Sequence, residues 1–116
     1  MISPDFIYFE PTQWGPNFWT TIYYVAFSYD SKCQVSRDFV ELFFYSIGGL
    51  LPCGDCQEHF HTYFNNNDIK NCLSDKNKLF DWIYNLQKEI NHRNQKPFPN
   101  SFREWFESIH SKFFNL

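Results

Sequence analysis

The sequence predicts an all-α fold, a four-helix bundle with a short fifth helix. Three observations carry this expectation. Apolar residues recur at helical spacing in five separate stretches, each stretch is bounded by a capping or breaking residue, and no run of strict apolar and polar alternation competes. At 116 residues the chain is expected to form one domain over 1–116 with its core over about 13–113, a length that buries a core yet still benefits from a cross-link or a bound cofactor.

Helix one is expected over about 16–29. Gly15 and Pro16 open it, since proline suits the first helical position, and Phe18, Trp19, Ile22, Ala26 and Tyr29 then share a face. Ser36 is the expected N-cap of a second helix carrying Val40, Phe43, Phe44 and Ile47 until Gly48-Gly49 stops it. Pro52 sets the third helix, about 54–65, directly after Cys53, with Cys56, Phe60, Tyr63 and Phe64 inward; NNNDIKN (65–71) reads as a polar loop. The fourth helix, about 75–93, is capped by Ser74 and turns Leu79, Phe80, Ile83, Leu86 and Ile90 inward before the Pro97-Phe98-Pro99 turn. Ser101 and Glu104 form a capping box for the fifth, which holds Phe102, Trp105, Phe106, Ile109 and Phe113.

The aromatic load is unusual, with 15 Phe, 7 Tyr and 4 Trp, so flat rings fill much of the interior and are suited to border a flat ligand. A net charge of -3 with scattered Lys and Arg gives no basic field, and nucleic acid is not an expected partner. No apolar run approaches the ~18 residues a membrane span needs. The start, MISPDFIYFEP, lacks a basic segment leading into a long apolar one, so neither a membrane nor export by a cleaved signal is expected. Four cysteines without such a signal suit chemistry or metal better than a secreted disulfide scaffold.

The stretch LPCGDCQEHF (51–60) holds two of those cysteines as a C-x-x-C. At a helix N-terminus the dipole and the free backbone N–H groups stabilise a thiolate, which makes a good nucleophile near neutral pH. Zinc is the rival reading: Cys53 and Cys56 with His59 or His61, and Cys72 or Cys33 as a fourth ligand. Structural zinc sites usually present a second tight pair, whereas Cys33 and Cys72 stand alone. A thioredoxin-like fold also uses C-x-x-C but needs βαβ units that are absent here.

Taken in order, these motifs resemble the Erv/ALR family of FAD-linked sulfhydryl oxidases over about residues 13–106. Trp14-Gly15-Pro16 with Trp19 resembles the family's W-G-P-x-x-W, and Cys53 to Phe60 its C-x-x-C-x-x-H-F. Trp82 through Pro97 resembles W-x-x-x-x-H-N-x-V-N and the K-P beyond it, with Ile90 and Asn91 for the Val and the second Asn, and Trp105 resembles a late tryptophan. Two departures stand out. The family's His-Asn is Gln87-Lys88 here, and a frequent histidine in the first helix is Tyr23.

The resemblance implies FAD beside the C-x-x-C, and a path of electrons from a thioredoxin-like or other dithiol protein to O2, released as hydrogen peroxide. Cys53 is then the outer thiol that exchanges with substrate, and Cys56 the inner one facing the flavin. It further implies that Trp14, Trp19, Tyr23, Trp82 and Trp105 enclose the rings, that Gly15 belongs to the cofactor site, and that His59 either packs near the rings or orients the third helix. Asn91 and neighbouring basic groups hold ribose and phosphates; the Gln87-Lys88 change rearranges those contacts, with Lys88, Arg93 and Lys96 offering positive charge to the diphosphate, unless Lys88 only belongs to an exposed charged helix face. A homodimer through the first two helices is implied as well. A viral member would work in the host cytoplasm or the virion, and other members in the mitochondrial intermembrane space; the Asn, Phe, Ile and Lys-rich usage favours the viral kind. The alternative of another class is a non-catalytic helical binding module whose Cys/His cluster holds zinc.

Cys33 and Cys72 follow helices one and three, which end at the same end of an antiparallel bundle. A bridge there closes a loop of about 40 residues and contributes roughly 3 to 4 kcal/mol. Free thiols or a shuttle thiol are the other readings.

Overall fold

A computed structural model describes residues 3–114. Five helices follow an extended lead: α1 (Pro11–Ser28), α2 (Gln34–Gly49), α3 (Gly54–Asn66), α4 (Lys76–Arg93) and α5 (Phe102–Phe114), with a 3-10 turn, Ile69–Cys72, between α3 and α4. No strand occurs among the described residues, as the periodicity predicts. All five helices feed one apolar cluster, in which Ile22, Phe44, Phe60, Ile69, Leu79, Ile83 and Leu86 are the largest side chains closed off from water.

The element ends differ from expectation for local reasons. Helix α1 starts at Pro11 rather than at 16, because Pro11 already supplies the fixed φ that helix entry favours and Glu10 acts as N-cap, its N–H donating to Gln13 Oε1 at 3.1 Å. Pro16 therefore lies inside the helix and withholds one N–H from the Thr12 carbonyl. Both residues line an open cleft rather than the core.

Helix α2 begins at Gln34, since the Ser36 hydroxyl accepts from the Asp30 N–H at 3.1 Å and leaves Cys33 in the cap position. Its two glycines do not stop it, as the helix runs through Gly49. Gly48 instead permits close packing: a Cβ there would lie 2.2 Å from the Phe60 ring of α3.

The polar loop after α3 holds the 3-10 turn, because Asp68 Oδ1 accepts from the Lys70 N–H at 3.0 Å and the Ile69 side chain is buried. Asp75, not Ser74, caps α4, accepting from the Asn77 N–H at 2.9 Å. In α5 Ser101 caps as expected, accepting from the Glu104 N–H at 3.2 Å.

The connections after α1 and after α3 do meet at one end of the bundle, but not through sulfur. Tyr29 donates its hydroxyl proton to the Leu73 carbonyl, and Lys76 Nζ donates to the Phe27 carbonyl at 2.5 Å. Cys33 and Cys72 are free thiols, so of the three readings the bridge is absent from this structure. Cys33 is exposed on the α2 cap, whereas Cys72 is half-buried on the 3-10 turn, where burial and then the Asp81 carboxylate push its pKa up.

Candidate active site

Cys53 and Cys56 are joined in a disulfide across a Cα–Cα distance of 5.2 Å. Cys53 occupies the N-cap of α3, and its Sγ accepts from the Cys56 N–H at 3.3 Å. The same N–H groups and helix dipole favour a thiolate once the bond is reduced. The two sulfurs differ in surroundings. Cys53 is only 6% exposed, whereas Cys56 is half-buried on the wall of a cleft of about 380 Å³.

Three helices and a loop build that cleft. Helix α1 contributes Trp14, Gly15, Phe18 and Trp19; α3 contributes Cys56, His59 and Phe60; α4 contributes Gln87, Ile90, Asn91 and Arg93, and beyond it come Asn94 and Lys96. Phe18 anchors the apolar wall edge-on, 5.6 Å from Trp14, 5.1 Å from Trp19 and 6.4 Å from Phe60 between ring centroids. The Trp14 indole is fixed by its N–H, which donates to the Phe9 carbonyl at 3.0 Å. One wall is therefore aromatic and carries a redox-capable sulfur, while the α4 end supplies two cations.

Eight of the twelve predicted cofactor contacts line this cleft: Trp14, Gly15, Trp19, His59, Gln87, Asn91, Arg93 and Lys96.

 Cys56, predicted as catalytic, is a ninth predicted residue on its wall. Sequence reasoning assigned Phe18 and Ile90 to the core by their helical spacing and gave no signal for Pro11, Thr12, Leu51 or Asn94, all of which line the cleft.

The other four predicted contacts lie elsewhere. Tyr23 and Trp105 are buried behind the cleft and both donate to Gln87 Oε1, the Tyr23 hydroxyl at 2.5 Å and the Trp105 indole N–H at 3.0 Å. Burial pushes the Tyr23 pKa up to about 12, with its Gln87 hydrogen bond acting in the opposite direction, so the hydroxyl keeps its proton at neutral pH. Trp82 is core: its indole N–H donates to the Asn67 carbonyl at 2.8 Å, and its own carbonyl accepts from the Tyr63 hydroxyl at 3.0 Å. Lys88 lines a second cleft of about 400 Å³, with Nζ 5.7 Å above the Tyr84 ring. Lys96 borders both clefts.

The zinc reading finds no support, because a disulfide leaves Cys53 and Cys56 no thiolate to ligate with, and no group of three His, Cys, Asp or Glu converges among the described residues. A helical bundle whose C-x-x-C disulfide caps a helix and opens on an aromatic cleft defines the class: an all-α dithiol–disulfide protein. Residues 16–112 match the model of the Erv1 / Alr family, and the chain belongs to that family.

Two relatives come from invertebrate iridescent viruses. The chain is 34% identical over 89 residues to "Putative FAD-linked sulfhydryl oxidase 096R" of Invertebrate iridescent virus 3, a match covering 76% of this chain and 60% of that protein. It is 29% identical over 94 residues to "Putative FAD-linked sulfhydryl oxidase 347L" of Invertebrate iridescent virus 6, covering 76% of this chain and 85% of that one. The chain thus spans about three fifths of the first relative's length. No solved structure gives a significant match.

Proposed function

We propose that the chain is an FAD-dependent sulfhydryl oxidase that makes disulfides in dithiol proteins and passes the electrons to O2. The observation that carries this reading is the position of Cys56, one sulfur of the disulfide, on the wall of an aromatic cleft that ends in Arg93 and Lys96. Membership of the Erv1 / Alr family and the names of both relatives support it.

The residues suit the cofactor. The volume falls within the ~300–1,000 Å³ of ordinary ligand sites, and a second cleft shares Lys96 with it. Gly15 offers a further sign. A Cβ there would meet no protein atom within 4 Å, so packing does not require a glycine, although glycine in a helix costs about 1 kcal/mol against alanine. A flat ring lying against the α1 backbone accounts for it.

In this reading Trp14, Trp19 and His59 border the ring system, Asn91 serves the ribose, and Arg93, Lys96 and, from the second cleft, Lys88 serve the diphosphate. Tyr23 and Trp105 act one layer back as positioning residues for Gln87, and Trp82 supports the bundle. Bound FAD supplies a two-electron acceptor for the reduced cysteine pair and the link to O2, which leaves as hydrogen peroxide.

The sulfur chemistry belongs to the chain. A substrate thiolate attacks Cys53 Sγ, the Cys53–Cys56 bond breaks, and Cys56 leaves as a thiolate at the cleft wall. The second substrate thiolate then displaces Cys53, so the substrate gains one disulfide, the enzyme pair gains two electrons, and the substrate thiol protons go to solvent. The α3 N-terminus stabilises the thiolates.

Self-association fits one face. Val35, Phe39 and Leu42 recur at helical spacing on α2 with exposures of 61%, 66% and 57%, a stripe that a second copy would cover in a homodimer. The viral relatives favour the cytoplasm of an infected cell or the virion as the place of action. Among the described residues no helix is long and apolar enough to cross a membrane.

Oxygen uptake with dithiothreitol tests the proposal. The wild-type chain loaded with FAD consumes O2 and releases an equal amount of peroxide, and Cys56→Ser does neither above background; uptake by Cys56→Ser at the wild-type rate refutes the role of the pair.

A further inference from the structure

The extended lead into α1 is tied to the redox motif. The Phe9 N–H donates to the carbonyl of Pro52, the residue before Cys53, at 2.9 Å, and the Phe9 carbonyl accepts from Trp14 on the cleft wall at 3.0 Å. Both peptide groups of Phe9 are therefore occupied, and the strap 6–10 is held beside the disulfide. Its side chains nevertheless face water: Ile7 is 67% exposed, Tyr8 53% and Phe9 49%, while Leu50, three residues before Cys53, is 78% exposed.

Four large apolar side chains near one disulfide are more than scattered surface residues, and a small thiol has no use for them. A protein substrate does. To bring a thiolate within bonding distance of Cys53 Sγ, in a residue only 6% exposed, a partner has to lay its surface over the backbone around Pro52, where Phe9 is attached. Glu10 and Asp55 give this surface an acidic margin, and both carboxylates act on the Tyr8 hydroxyl, whose pKa is raised by desolvation first and then by these charges.

We propose that the strap Ile7–Phe9, together with Leu50, is the docking surface for the protein dithiol, and that it selects a cysteine pair flanked by apolar and basic residues. The inference rests on the sulfhydryl oxidase reading and names the substrate class that reading leaves open. A patch this small suits a transient encounter, in which the partner leaves once its disulfide has formed.

The test uses the FAD-loaded chain and three substrates: dithiothreitol, a reduced Cys-x-x-Cys peptide flanked by Leu and Lys, and the same peptide flanked by Ser and Glu. The wild type is expected to oxidise the Leu/Lys peptide with about tenfold higher kcat/KM than the Ser/Glu peptide, mainly through KM, because apolar contact and charge complementarity both act on association. The double variant Ile7→Ser, Tyr8→Ser, and Leu50→Ser separately, lower that preference at least twofold, leaving the part that Glu10 and Asp55 supply, while turnover of dithiothreitol stays within about twofold of wild type. Unchanged helical circular dichroism and flavin absorbance confirm that each variant is folded, and the two variants stand in for one another if one fails that check. Equal turnover of both peptides by the wild type, or a preference undiminished in the variants, overturns the docking surface. A wild type that oxidises neither peptides nor dithiothreitol overturns the oxidase reading instead.

Discussion

The Trp105 indole N–H donates to Gln87 Oε1 at 3.0 Å, and this bond fixes which way the Gln87 amide faces. An indole nitrogen only donates, so the atom it meets is the amide oxygen. The Tyr23 hydroxyl takes up the same oxygen from α1 at 2.5 Å. The amide nitrogen is left as the group that Gln87 offers to the cleft it lines, a donor suited to a carbonyl oxygen or a ring nitrogen of the ligand.

Two substitutions at Gln87 separate its two ends. Gln87→Leu strands the Tyr23 and Trp105 donors and is expected to destabilise the fold by about 1–3 kcal/mol while also weakening flavin retention. Gln87→Glu keeps an acceptor for both donors but loses the N–H groups, so flavin affinity falls more than stability does. Urea melts of the flavin-free protein and FAD titration read the two effects apart.

Tyr23 makes a pH prediction. Its folded pKa is raised from 10.0 to about 12, so above pH 10 the folded state holds a proton that the unfolded state releases. Stability is complete below pH 10 and falls as pH rises from 10 toward 12, by about 2–3 kcal/mol in all. Tyr23→Phe loses its hydroxyl bond yet shows a shallower alkaline decline, measured by urea melts at pH 9 and pH 11.

Gly48→Ala pushes a Cβ to 2.2 Å from the Phe60 ring, a separation that real atoms do not tolerate, and the atoms met include the ring carbon nearest the backbone. The expected loss is about 1–3 kcal/mol. Phe60→Leu introduced alongside it makes room, so the double variant is less destabilised than the sum of the two single variants.

Phe39→Glu puts a charge into the exposed α2 stripe. If that stripe is the dimer face, sedimentation shows a dimer for the wild type and a monomer for the variant, with helicity unchanged.

The two free thiols are expected to differ in reactivity. Cys33 is exposed, whereas Cys72 is half-buried with a raised pKa, so iodoacetamide near pH 8 labels Cys33 well before Cys72. Mass spectrometry of unreduced peptides that finds them bridged contradicts this arrangement.

The fold was largely legible because the apolar period is dense: Ile22, Ala26, Val40, Phe44, Phe60, Tyr63, Leu79, Phe80, Ile83, Leu86 and Ile109 are all expected core residues and all buried. Helix ends were less so, because Ser36, Ser74 and Pro16 each had a neighbour able to do the same capping work. Asp75 and Pro11 took two of those places, and Ser36 turned to Asp30. Gly48 could not be read as a packing residue, since its role depends on a ring contributed by another helix. At the cleft, a motif indicates which residues gather but not which stand in front: Tyr23 and Trp105 lie behind Gln87, while Phe18 and Ile90, which looked like core, reach the wall.

The central claim is that electrons pass from a dithiol through the Cys53–Cys56 pair to FAD and on to O2. A visible absorption spectrum of the purified chain, repeated after anaerobic addition of dithiothreitol and again after admitting air, tests it most directly. An oxidised flavin spectrum is expected, one that bleaches with the dithiol and returns with air. A colourless protein that takes up no added FAD, or a flavin that stays oxidised in the presence of the dithiol, contradicts it.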